Sequence, residues 1–184
     1  MRWQQQAIVE FDAIEAAWEA SPLVVPRTGK QVTPEKLTNM LRGDGHLTGD
    51  QKVQTSTVVP LVQRGVAQTF RLEVTYASEC GLPSVFIAKF LNTDPSFSRF
   101  VRGAMQEVWA HSTQFLQKHG ARQPCCYFAS YDPVRKTFCL LLEDLSSAGF
   151  SSGDLLTGGP GEGEPPHLPM FIAVMESAAV FHAR

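Results

Sequence analysis

Lys89 lies in Val85-Phe86-Ile87-Ala88-Lys89-Phe90, an otherwise apolar run. Alternation puts Val85, Ile87 and Lys89 on one side of a strand, and Phe86, Ala88 and Phe90 on the other. An ammonium in that setting needs an anion beside it, either a carboxylate or a bound phosphate. The alternative is an edge-strand lysine whose stem covers apolar surface while its head reaches water. Glu107 is the natural carboxylate. It follows Lys89 in chain order, on a helix and beside the apolar Ala104 and Val108. The competing reading is a solvated glutamate on a helix flank. Glu107 and His111 have the i,i+4 spacing of metal ligands, but no third ligand accompanies them, so no metal site is assigned.

Three further segments could bind a ligand. Gln63-Arg64-Gly65-Val66-Ala67-Gln68-Thr69 joins two expected strands, and a glycine there lets backbone amides approach phosphate oxygens; a plain turn is the alternative. Leu140-Leu141-Leu142-Glu143-Asp144-Leu145 is a strand running into a polar break, where free backbone groups could pair with a planar heterocycle. His182 shares the apolar face of the last expected helix, as a packed core histidine does. No GxxxxGK[ST] or GxGxxG occurs. The Gly158–Glu164 stretch is glycine-rich, but Glu162 and Glu164 would repel phosphate.

The elements that position these residues follow from periodicity. Ile8, Phe11, Ile14 and Trp18 predict a helix over 3–20, broken at Ser21-Pro22. A second helix is expected over Pro34–Leu41, with Thr33 as its cap and Pro34 at its first position. Three strands follow, around Thr57–Val59, Phe70–Tyr76 and Val85–Phe90, as an antiparallel meander. A long helix is expected over 97–119 with Gly120 ending it. Two strands, Cys126–Tyr131 and Phe138–Glu143, flank a turn opened by Asp132-Pro133. Residues 144–167 read as an acidic, Gly/Ser/Pro-rich linker, and a last helix starts near Leu168. The fold class is α+β, five strands around one long helix.

Length and composition bound the function. The chain has 184 residues, 43% of them hydrophobic and 18% charged, which suits a packed domain. A formal charge of -2 argues against a general nucleic-acid binder. No apolar run nears the ~20 residues of a membrane-spanning helix, and the N-terminus lacks a signal-peptide pattern. The four cysteines have neither disulfide-scaffold nor metal spacing, so reduced thiols and a cytoplasmic protein are expected.

In this order the segments resemble the small lobe of a kinase-like phosphotransferase, of the aminoglycoside phosphotransferase, choline kinase and ecdysteroid-kinase-like superfamily. Gly65–Leu72 resembles its nucleotide-covering hairpin, Leu82–Phe90 its lysine strand, and Gln106-Glu107-Val108-Trp109 its glutamate helix. Leu140–Ser146 resembles the hinge before the large lobe, and Ala178–Ala183 the helix end before the catalytic loop. The resemblance covers roughly residues 33–184. It implies a helical extension (1–45), a kinase-like small lobe with a five-stranded antiparallel sheet (46–145), and the linker and first helix of a truncated large lobe (146–184).

It also implies a site: Lys89 on the α- and β-phosphates of ATP, paired with Glu107, under a turn containing Gly65, Gln68 and Thr69, with backbone near Glu143 and Leu145 on adenine. Mg2+ would accompany the nucleotide. The acceptor would be a small-molecule alcohol. The family's His-Gly-Asp catalytic loop and metal-binding Asp do not occur after His182, so no catalytic residue is assigned and the chain alone is expected to be inactive. The missing large lobe, or a partner protein, would cover the last helix. The alternative class is a non-catalytic nucleotide- or partner-binding module; an unrelated α+β domain is the third reading.

Overall fold

The computed structural model describes residues 25–62, 66–92, 101–118, 123–132 and 135–148. The expected helices at 3–20 and after Leu168, the Gly65 turn, His182 and most of the linker lie outside the described residues.

Five antiparallel strands form one sheet: β1 (Val53–Val62), β2 (Ala67–Tyr76), β3 (Val85–Leu91), β4 (Cys126–Asp132) and β5 (Thr137–Glu143). Their order is β1-β2-β3-β5-β4. The first three strands make the expected meander, while β5 inserts between β3 and β4. The α+β architecture with a five-stranded antiparallel sheet is therefore present.

Two helices serve opposite faces. Helix α1 (Pro34–Gly43) starts as its sequence dictates, with Pro34 in the first turn and the Thr33 hydroxyl accepting from Lys36 N at 3.3 Å. Its Leu37, Met40 and Leu41 are fully buried against Phe70, Leu72, Phe86, Ala88 and Phe90. Thr38 ties it to β1 by accepting from Val53 N at 3.0 Å. Val25 and Val32 belong to the same core, so this segment packs on the sheet together with α1. Gly29 explains part of that closeness. A Cβ there would sit 2.7 Å from Val58 and 2.8 Å from Phe70, so only glycine lets this segment lie on the sheet.

Helix α2 (Val101–Ser112) covers β4 and β5 on the other face. Its Val108 is fully buried with Leu91, Tyr131, Phe138 and Leu140. The long helix expected through residue 119 is interrupted. The Trp109 carbonyl accepts from Thr113 N at 3.0 Å and from the Ser112 and Thr113 hydroxyls at 3.0 and 2.8 Å. Gln114 then takes a left-handed φ of 54°, and a short turn of helix, α3 (Phe115–Lys118), follows. Two adjacent hydroxyls competing for one carbonyl supply the local cause. A 3-10 turn at Leu145–Ala148 leaves β5.

Candidate functional site

Strand β3 sorts its residues by alternation: Phe86, Ala88 and Phe90 are fully buried on the α1 face, and Lys89 stands on the α2 face. There Lys89 pairs in register with Thr69 of β2 and Leu140 of β5. Helix α2 brings Glu107 over this row. Lys89 Nζ donates to Glu107 Oε1 at 2.5 Å, and the two side chains are 29% and 35% exposed. A charge-assisted bond at this depth holds both groups in place without sealing them from solvent. The ammonium thus has its carboxylate and still faces an accessible side of the sheet.

His111 completes the cluster one turn along α2. Burial lowers its pKa, Glu107 opposes that shift, and Lys89 reinforces it. Its Nδ1 is buried and has no hydrogen-bond partner among the described residues. No group of three His, Cys, Asp or Glu placed to hold a metal ion occurs among the described residues.

The remaining expected positions divide. Thr69 shares the Lys89 row. Gln68 pairs with Phe90, on the opposite face by alternation. Gly65 is outside the described residues. The Glu143 carboxylate accepts from Cys125 N at 3.1 Å, and Glu143 N donates to Cys125 O at 2.9 Å, so this residue is engaged with the start of β4. Leu145 opens the 3-10 turn after β5, half-buried.

One pair was not assigned from sequence. Arg71 Nε donates to Asp144 Oδ2 at 3.2 Å, and Arg71 Nη1 lies 3.3 Å from Glu73 Oε1. Asp144 Oδ1 also accepts from Ser146 N at 2.9 Å. The Ser146 hydrogen bond is the main cause that lowers the Asp144 pKa; burial opposes it, and Arg71 adds to the lowering. Alternation between Phe70 and Leu72 signals that Arg71 faces away from the α1 core. Only the strand pairing reveals that Asp144 is within its reach.

The cysteines have no part in this site. Cys80, Cys125, Cys126 and Cys139 are free thiols. Burial pushes Cys126 up to about 12 and Cys139 well above the usual thiol range, so neither is a ready nucleophile near neutral pH. No described helix is long and apolar enough to cross a membrane.

Compared with known proteins, the chain matches no family model, no curated protein and no solved structure.

Proposed function

We propose that this chain is the nucleotide-binding small lobe of an ATP-dependent small-molecule kinase, acting on an alcohol acceptor. The observation that carries the reading is the Lys89–Glu107 pair, joined at 2.5 Å on the partly open α2 face. Phosphoryl transfer depends on positioning and charge neutralisation more than on covalent chemistry by the protein. A half-exposed ammonium fixed by a helix carboxylate suits the α- and β-phosphates. The carboxylate fixes its position, and the exposure lets a phosphate oxygen reach it.

The ligand fits the surroundings. Beside Lys89 lie Ile87 and Leu142, both half-buried, which offer apolar contact for a base. Backbone leaving β5 at Asp144 and Leu145 would meet the base edge, since Glu143 N is already given to Cys125 O. The segment containing Gly65, with Thr69 in the Lys89 row at its β2 end, would cover the phosphates; Gln68 faces the other side of the sheet. Mg2+ would accompany the nucleotide. This reading assigns no catalytic base, protein metal ligand or acceptor pocket to the described residues.

Calorimetric titration of the 184-residue chain with Mg-ATP tests the reading. Wild type is expected to bind, and Lys89→Ala to bind at least about tenfold more weakly, the scale of a lost charge-assisted hydrogen bond. Absence of binding by wild type, or equal binding by both proteins, overturns it.

A further inference from the structure

Lys89 shares its face of the sheet with a second cation, Arg71, which stands one row along in register with Ile87. On the α2 face, β2 presents Thr69, Arg71 and Glu73 in register with Lys89, Ile87 and Val85 of β3. Successive rows on one face are separated by about 7 Å. Ile87 and its neighbour Leu142 therefore floor the interval between the Lys89 row and Asp144, which leaves the end of β5.

Arg71 rises from the Ile87 row, and its guanidinium is gripped on the side away from Lys89. Its Nε meets Asp144 at 3.2 Å and its Nη1 meets Glu73 at 3.3 Å. Guanidinium N–H groups lie in the plane of the group, so these two carboxylates hold its rim and leave its flat faces for packing. The side chain remains 41% exposed, whereas Asp144 is only 11% exposed. Asp144 is in turn fixed to Ser146 N. The guanidinium is thus held by two carboxylates on a side chain that stays partly exposed.

The charges give this face a direction. Arg71 with Asp144 and Glu73 carries a formal charge of one minus two, or -1, while Lys89 with Glu107 is neutral. A polyphosphate is disfavoured at the Arg71 end, and an uncharged planar group is not.

We infer that Arg71 is a specificity-determining residue of the nucleotide site, its guanidinium plane stacking on the heterocyclic base while Lys89 holds the phosphates. This rests on the function proposed above. Asp144 and Glu73 are positioning residues: they fix the plane before the ligand arrives and neutralise its attraction for phosphate. Removing such a stacking contact is expected to weaken binding about three- to thirtyfold.

The test compares ATP with inorganic tripolyphosphate, both with magnesium, by calorimetry on the full chain. Wild type should prefer ATP, and Lys89→Ala should weaken both ligands. Arg71→Met keeps the apolar stem and loses the plane, so it should weaken ATP about three- to thirtyfold and leave tripolyphosphate unchanged. Arg71→Lys keeps the charge and should behave like Arg71→Met. Circular dichroism and urea midpoints establish that each variant is folded. The inference is overturned if Arg71→Met or Arg71→Lys weakens both ligands equally, or if neither variant changes ATP binding. Equal wild-type affinity for the two ligands overturns it without recourse to a variant. Loss of both ligands on Lys89→Ala, with Arg71 variants inert, would retain the proposed function while removing this inference. Absence of any binding by wild type removes both.

Discussion

On one face of the sheet Phe70, Leu72, Phe86, Ala88, Phe90 and Leu141 are sealed beneath α1. One residue along the same strands, the other face presents Thr69, Arg71, Ile87, Lys89 and Leu142, none of them fully buried, beside a smaller core around Leu140 and Val108. Both sets come from the same period of two, so the difference lies in what covers them. Helix α1 presents three fully buried side chains to a face that is apolar along its middle strands. Helix α2 lies over β4 and β5, and brings a carboxylate to the Lys89 row. The α1 face carries the larger core, while the α2 face combines a smaller core under the helix with charged groups that stay positioned yet reachable.

The largest expected effect breaks the sealed face. Phe86 is fully buried and meets Tyr127 edge-on at 5.1 Å between ring centroids. Phe86→Ala should cost about 3–5 kcal/mol by urea denaturation, the range for a buried aromatic reduced to alanine. A loss below about 1 kcal/mol would mean that this face is not the core.

Gly29→Ala comes next and probes the same face from its cover. The new methyl would enter space occupied by Val58 and Phe70 side chains, at 2.7 and 2.8 Å. Overpacking of this kind costs about 1–3 kcal/mol. The thermal midpoint should fall, while binding at Lys89 should be spared because Phe70 and Lys89 face opposite ways.

The sealed face was largely legible in the sequence. Alternation in Val85–Phe90 separates Phe86, Ala88 and Phe90 from Lys89 without any knowledge of pairing, and the burial follows it. The capped start of α1 was equally plain, because Thr33 and Pro34 act locally. The Lys89–Glu107 pairing was legible as a possibility, since a helix following β3 must cross the sheet. The close approach at Gly29 was not, because a glycine carries no sign of which side chains will lie against it. The end of α2 was missed for a related reason. Ser112 and Thr113 are tolerable in a helix, and their joint claim on the Trp109 carbonyl is a matter of geometry. Arg71 and Asp144 are 73 residues apart in sequence and meet only through the β2-β3-β5 pairing.

The open face should respond differently. Lys89→Met removes one partner of an ion pair whose side chains are 29% and 35% exposed. Solvent screening keeps such pairs near 0.2–1 kcal/mol, so stability should change by no more than about 1 kcal/mol. Equilibrium denaturation checks this. A loss approaching that of Phe86→Ala would make Lys89 a structural member of the core and erase the contrast between the faces.

The smallest effect is a pH dependence at the far end of the open face. The Asp144 pKa is lowered in the folded protein, chiefly by the Ser146 hydrogen bond. A carboxylate with a depressed folded pKa stabilises the fold at pH values above its unfolded pKa of about 3.9. That contribution is lost as pH falls through the lower folded pKa, because the unfolded chain takes up the proton first. Asp144→Asn cannot titrate, so its stability should fall less steeply than wild type below about pH 4. Arg71, the charged partner, is 41% exposed, which limits what the pair adds at neutral pH. Urea midpoints measured from pH 7 down through pH 3 should therefore separate at neutral pH, with wild type slightly higher, and converge on acidification. Parallel curves would mean that Asp144 is not held in the folded protein, and that the plane of Arg71 has lost one of its two anchors.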